Sequence, residues 1–145
     1  MLLHDAEKLA RKLMDSNGLQ DWALAFDTGT RRFGACWYTQ RKITLSKELV
    51  RINHHDAVKD TILHEIAHAM LPEYCGHNST WRATAQAIGG SGKAKYSAND
   101  AILAQKYKAT CDCTTHYTNR RKQGTCISCG VRVVWTKNEQ PTIKR

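Results

Sequence analysis

Residues 64–68 read His64-Glu65-Ile66-Ala67-His68, and Gly76-His77 follows shortly after the second histidine. Two histidines four positions apart on a helix stand one turn above each other on one face, so both imidazoles can reach the same metal ion. Glu65, next to His64, carries a carboxylate able to take a proton from an attacking water. A third ligand must come from elsewhere, and His77 is the nearest candidate. Zinc held by three protein ligands keeps a fourth position open, which is the catalytic pattern. The chemistry on offer is hydrolysis at one zinc ion. The pentapeptide alone is a modest signal. Its surroundings strengthen it. Ile62, Leu63, Ile66, Ala67, Ala69 and Met70 make the helix apolar nearly all round, as in a buried helix. Buried histidines and a buried glutamate need partners, and a shared metal supplies them.

A second group of metal-ligating residues lies near the C-terminus. Cys111, Cys113, Cys126 and Cys129 cluster, while Cys36 and Cys75 stand apart and read as ordinary buried thiols. Clustered pairs in a chain without an export signal are metal ligands more often than disulfides. Cys126 and Cys129 have the two-residue gap of a zinc knuckle. Cys111 and Cys113 are separated by one residue, whereas Cys113 and His116 are separated by two. Five candidates thus compete for four places. Thiolates favour the four cysteines, with His116 as the alternative ligand. The expected metals are one catalytic and one structural zinc. So small a lobe has little core, and its folding should depend on the metal.

The elements that must position these residues follow from periodicity. Leu2, Leu3, Ala6, Leu9, Ala10, Leu13 and Met14 recur at helical spacing, and the helix stops near Asn17-Gly18. Residues 22–26, 33–38 and 42–45 read as three short strands of a small antiparallel sheet. Ser46 can cap a short helical turn. The central helix is predicted from about residue 56 to residue 71, where Pro72 ends it. A loop then carries His77 into a second helix over residues 80–88, closed by Gly89-Gly90. Residues 89–99 are rich in Gly, Ser, Lys and Asn and read as a linker, followed by a helical segment from Asp100 to Lys106. The organisation expected is a metalloprotease core over 1–92, a linker and short helix over 93–109, a ribbon over 110–136, and a frayed tail over 137–145.

Charge divides the chain the same way. Of the net charge of +9, residues 93–145 carry most, with 11 Lys/Arg against 3 Asp/Glu, whereas residues 1–92 hold 11 against 10. A neutral front with a basic back points to a polyanionic partner. Lys93, Lys95, Lys106, Lys108, Arg120, Arg121, Lys122 and Arg132 are the candidate phosphate contacts, and Tyr107, Tyr117 or Trp135 could stack on unpaired bases. Contacts of that kind read no sequence. Each aromatic has the competing option of packing the ribbon's core, Trp135 foremost. No stretch approaches the roughly 20 apolar residues of a membrane span. The N-terminus, which carries Asp5 and Glu7, lacks the features of a signal peptide. The expectation is a cytoplasmic monomer.

Several motifs resemble a known family in order and spacing. They are Trp22 to Phe26; Arg32-Phe33-Gly34 with Cys36 and Tyr38; Ile43-Thr44-Leu45-Ser46; the His64–His68 helix; and Gly76-His77 with Trp81-Arg82. Together they resemble the SprT-like domain, the group that includes the Spartan proteases acting on proteins crosslinked to DNA. The resemblance extends through Cys111-Asp112-Cys113, His116, Arg120-Arg121 and Cys126 to Gly130, which look like the zinc ribbon of bacterial SprT proteins. It implies an α+β fold with a zincin-like core (N-terminal helix, three-stranded antiparallel sheet, HExxH helix and following helix) plus the C-terminal ribbon. It further implies that His64, His68 and His77 ligate the catalytic zinc, that Glu65 is the general base, and that Trp81 packs beneath the site. A metzincin's third histidine would fall at position 74, which is Tyr74 here, so that clan is excluded.

By that resemblance the expected activity is DNA-dependent hydrolysis of proteins bound or crosslinked to DNA. The DNA would have single-stranded character, and the enzyme would associate with the nucleoid when bound. The alternatives are a non-proteolytic zinc protein that binds nucleic acid and a zinc peptidase indifferent to DNA. The intact Glu65 disfavours the first alternative.

Overall fold

The computed structural model describes residues 1–95, 106–118 and 123–139. Helix α1, Leu3–Ser16, buries Ala6, Ala10 and Met14, which its pitch brings to one face. Small residues at the first two of these positions let α1 lie close to the core. Asn17 caps its end and Gly18, at φ +78°, turns the chain back. Arg11 fixes this corner, donating to the carbonyls of Trp22 and Leu19 at 2.7 Å each and to Asp15 at 2.8 Å.

Strands β1 (Ala23–Asp27), β2 (Gly34–Trp37) and β3 (Lys42–Ser46) form one sheet in the order β1-β3-β2. β2 and β3 are antiparallel, as expected, but β1 and β3 run parallel, pairing Ala23 with Lys42 through Asp27 with Ser46. The sheet is therefore mixed, not all-antiparallel as the sequence reads. Successive strands alternate in direction, so an antiparallel meander requires β1 beside β2. β3 takes the centre instead, because four of its five residues are buried and only a central strand is covered to that extent. β1 then occupies β3's far edge and is necessarily parallel to it.

Ser46 ends β3 and caps α2 (Lys47–Ile52), accepting from the Leu49 N–H at 3.2 Å and donating to the Gly29 carbonyl at 2.5 Å. Helix α3, His55–Ala69, crosses the middle of the molecule and buries Val58, Thr61, Ile62, Leu63, Glu65, Ile66 and Ala67. α1, β2, β3 and α4 all pack against it. Helix α4, Ser79–Ala87, presses Trp81 and Ala85 onto Ala67. It closes with the two crossed bonds expected of a glycine terminus, Gly89 N–H to Gln86 O at 3.1 Å and Gly90 N–H to Ala85 O at 2.8 Å. The chain does not leave the core at residue 89, as its linker-like composition suggests. Through Lys93 it lies against α3 and α4, because Ser91 is hydrogen-bonded to Asp60 on α3.

The C-terminal lobe has β4 (Tyr107–Thr110), β5 (Thr115–Thr118), β6 (Gly124–Thr125), β7 (Arg132–Val133) and β8 (Thr136–Lys137), arranged as sheets β5-β4-β8 and β6-β7. Its buried centre is Ala109, Cys126 and Val133, with Trp135 packed against them. β4 begins inside the stretch expected to be linker, and β8 pairs with β4's second edge where a frayed end was expected. Polar strands of two to four residues give a weak alternation signal, so neither is legible in the sequence. The helical segment expected over 100–106 lies outside the described residues except for Lys106. The architecture is α+β, and the four clustered cysteines are consistent with a zinc ribbon. Among the described residues no helix is long and apolar enough to cross a membrane.

Candidate functional site

α3 delivers His64 and His68 one turn apart, and the segment after it delivers His77. Pro72 prevents α3 from continuing, and the single 3₁₀ turn Glu73–Cys75 follows. Gly76 then adopts φ +49°, ψ −128°, a conformation costly for a side-chain-bearing residue, and turns the chain back toward α3. Asn78 starts α4 by accepting from the Trp81 N–H at 3.0 Å. Between this glycine and this cap, His77 has little freedom. Trp81, 1% exposed, forms the floor of the cluster. Its ring stacks on His68 at 27° and 5.2 Å and meets His64 and His77 edge-on at 4.7 and 4.6 Å.

The three Nε2 atoms converge, at 3.2 Å (His64–His68), 3.0 Å (His68–His77) and 3.1 Å (His64–His77). Three nitrogens on one tetrahedral zinc, each about 2.0–2.1 Å from it, stand roughly 3.3–3.4 Å apart. The observed triangle is close to that. Burial holds the pKa of His64 down at about 4, with the charge of His77 adding to the effect. His68 is likewise held at about 4 by burial and then by His64, and burial also lowers His77. Near neutral pH all three are uncharged imidazoles, the form that ligates a metal. Three lone pairs aimed at one point repel one another unless a cation lies between them.

Glu65, next to His64 on the same helix turn, lines the same cleft and is 6% exposed. Burial pushes its pKa up to about 8, opposed only in part by the positive charge of Arg32. Gly34 on β2 faces it directly. A Cβ there would stand 2.9 Å from Glu65 Cγ and 3.1 Å from Oε1, so the carboxyl occupies space that any side chain at position 34 would take. These groups line an open cleft of about 600 Å³ bounded by Arg31, Arg32, Phe33 to Cys36, Tyr38, the three histidines, Glu65, Ala94 and Lys95. Burial raises Cys36 to about 12, so it is a thiol and no nucleophile. Burial and the neighbouring Cys36 raise Tyr38 to about 12, leaving a phenol that can donate a hydrogen bond. Neither separate cysteine is fully buried, in contrast to the expectation from sequence. Cys36 is a half-buried wall residue, and Cys75 is half-buried in the turn before His77. Tyr74 is 87% exposed and does not line the cleft. The sequence alone assigns no role to the wall residues. The signal that could have found them is alternation: Gly34 and Cys36 lie two apart on β2, and Tyr38 follows two positions on, in the turn that ends it.

In the C-terminal lobe the sulfurs of Cys111, Cys113, Cys126 and Cys129 lie within 4.8 Å of one another. Cys111 is 3.4 Å from Cys113, and Cys113 is 3.4 Å from Cys126. Four thiolates about 2.3 Å from a tetrahedral zinc stand roughly 3.8 Å apart. The backbone N–H of Cys113 bonds to Cys111 and lowers its pKa to about 5, and the N–H of Cys129 lowers Cys126 in the same way. The two pairs are therefore built alike despite their different gaps. His116 lies beside the group, with Nε2 3.4 Å from Cys111 Sγ.

Of the candidate phosphate contacts, Lys93 and Lys95 are exposed, and Lys95 lines the cleft rim. Lys106 is exposed, Lys108 is half-buried on β4, and Arg132 is exposed on β7, where it donates to Gln123 at 3.2 Å. Arg120, Arg121 and Lys122 lie outside the described residues. Tyr107 is half-buried and Tyr117 is 42% exposed. Trp135 packs against the lobe's core, and its indole N–H is buried with no partner among the described residues.

No curated protein and no solved structure matches the chain. The sequence pattern of the SprT-like family matches residues 3–101, which span both α3 and the histidine that follows it. That match covers more than half of the chain and suggests a function of the zinc-metalloprotease kind. The chain belongs to the SprT-like family.

Proposed function

We propose that this protein is a zinc metalloendopeptidase that cleaves proteins bound or crosslinked to DNA, and that DNA stimulates it. The observation that carries the proteolytic half is the triangle of His64, His68 and His77 nitrogens with the Glu65 carboxyl beside it in an open cleft. Those histidines would hold the catalytic zinc, and the four cysteines a structural one. The catalytic zinc, when bound, supplies Lewis-acid activation of a peptide carbonyl and of water. Glu65 accepts the proton of the attacking water and passes it to the departing amine as the C–N bond breaks. Its buried position makes its carboxylate a stronger base than an exposed glutamate. The hydrophobic floor at Trp81 holds the imidazoles in place. Tyr38 lines the same cleft, its side chain hydrogen-bonded to Cys36, and the cleft is open to solvent, as binding of an extended peptide requires.

The DNA half is supported by the basic C-terminal third and by Lys95 on the cleft rim. Phosphate contacts from residues 93–145 would bring the cleft to whatever protein sits on the same DNA, without sequence preference. The test is cleavage of a DNA-binding protein by the full chain, with and without single-stranded DNA, beside Glu65→Gln. Cleavage requiring both DNA and Glu65 is expected. Cleavage that needs Glu65 and ignores DNA leaves a general zinc peptidase. Zinc binding without cleavage under any condition leaves the non-proteolytic alternative.

A further inference from the structure

Asp60 stands one helical turn before His64 on α3, outside the cleft. Its Oδ1 accepts from the Ser91 backbone N–H at 2.6 Å, and its Oδ2 accepts from Ser91 Oγ at 2.8 Å. Ser91 Oγ in turn accepts from the Lys93 N–H at 3.3 Å. The backbone of Lys93 then hydrogen-bonds to the His64 ring. Because His64 turns Nε2 toward His68 and His77, the nitrogen left for Lys93 is Nδ1. The path runs from Asp60 through a strap, residues 89–93, to the back of a cluster histidine.

The strap fits α3 and α4 too closely for a passing linker. A Cβ on Gly90 would stand 3.0 Å from the Ala85 carbonyl oxygen and 3.3 Å from Leu63 Cβ. Gly92 has φ +71°, and a Cβ there would stand 2.9 Å from Gln86 Cγ and 3.1 Å from Arg82 Cγ. Two glycines therefore permit the approach, and one carboxylate holds it with two hydrogen bonds. A ligating imidazole whose far N–H donates to a carbonyl is fixed in one tautomer and one direction.

We propose that Asp60 is a positioning residue: by clamping Ser91 it holds the Lys93 carbonyl against His64 Nδ1 and so aims the His64 Nε2 lone pair into the metal site. The inference rests on the histidine cluster being a metal site. It adds a residue and a strap that the ligand motif does not contain.

The test uses the full chain, stripped of metal and titrated with cobalt(II). Thiolate charge-transfer bands report the cysteine site and weaker d–d bands report the histidine site, so the two affinities separate. Nitrogen-15 spectra of labelled histidine in the metal-free chain report the His64 Nδ1–H directly. Asp60→Ala is expected to weaken the histidine site about tenfold or more, to leave the cysteine site unchanged, and to lose the protected Nδ1–H signal. Asp60→Asn keeps one acceptor for the Ser91 N–H and should fall between. An Asp60→Ala chain with unaltered cobalt affinity and an intact His64 signal overturns the proposal. Should that variant not fold, Ser91→Ala removes only an exposed hydroxyl and should move both readouts the same way by less; no movement in either is equally fatal. If the unmodified chain takes up cobalt only at its thiolates, the metal reading of the histidines has failed and the proposal falls with it.

Discussion

Glu65 is the residue on which hydrolysis and stability pull in opposite directions. Glu65→Gln keeps shape and burial but cannot take a proton, so peptide cleavage should fall by about 10²–10⁴ while zinc content is unchanged. In metal-free protein the same change has a second effect. The carboxyl titrates at 4.5 when exposed and at about 8 in the fold, so the folded chain holds the extra proton between those values. Stability therefore falls as pH rises through that window. His64 and His68 act at the other end. Their pKa drops from 6.5 to about 4 on folding, so the unfolded chain takes up protons first and stability falls as pH drops below 6.5. Thermal melts of the metal-free protein should show loss on both sides; Glu65→Gln should flatten the alkaline side and steepen the acid side between about pH 4.5 and 6.5, where the carboxyl and the imidazoles oppose each other. Gly34→Ala offers an independent check on the cleft wall. Its methyl would meet Glu65 Cγ at 2.9 Å, an overpacking that should cost about 1–3 kcal/mol in urea denaturation and displace the base. An active Gly34→Ala of unchanged stability would contradict the geometry.

At the scale of elements, the ligand set depends on how one helix ends and the next begins. α3 supplies two ligands by its pitch alone. The third depends on Pro72, on Gly76 at φ +49° and on the Asn78 cap. Asn78→Ala removes the acceptor for the Trp81 N–H and should cost about 1 kcal/mol. Because His77 is the residue before that cap, metal affinity at the histidine cluster should fall as well. A chelator competition showing lowered stability with full affinity would place the control of His77 elsewhere.

Across the whole molecule, the two lobes should respond differently to metal removal. Among the described residues, the N-terminal lobe buries thirteen in one apolar cluster, whereas the C-terminal lobe buries three, one of them Cys126. A core of that size does not offset the entropy of ordering about thirty residues, so the lobe's fold rests on its metal. Chelation should collapse the amide dispersion of residues 106–118 and 123–139 and leave that of residues 3–88 largely intact, as two-dimensional NMR would show. On the DNA side, changing Lys106, Lys108 and Arg132 together to Gln should weaken DNA stimulation. It should also flatten the dependence of DNA binding on log salt by roughly one for each phosphate no longer neutralised. An unaltered salt slope would remove those three residues from the interface.

The sequence by itself determined whatever depends on spacing within one element. His64 and His68 share a face because a helix turns every 3.6 residues. Ser46 caps because of its side chain, and Gly89-Gly90 closes α4 because glycine tolerates the turn, whereas the sequence offers Asn78 and Ser79 as equal candidates for the cap of α4. The charge divide and the clustered cysteines were equally plain. The tertiary structure decided what depends on distant segments meeting. Strand directions were predictable and neighbours were not, because β3's burial gave it the centre and sent β1 to its far edge, parallel. Gly34 stands far from Glu65 along the chain and lies against it only because β2 packs on α3. Polar strap residues read as a linker because their composition is a linker's. Only the fold places Asp60 where it can hold them, and local sequence carries no record of a partner thirty-one residues away.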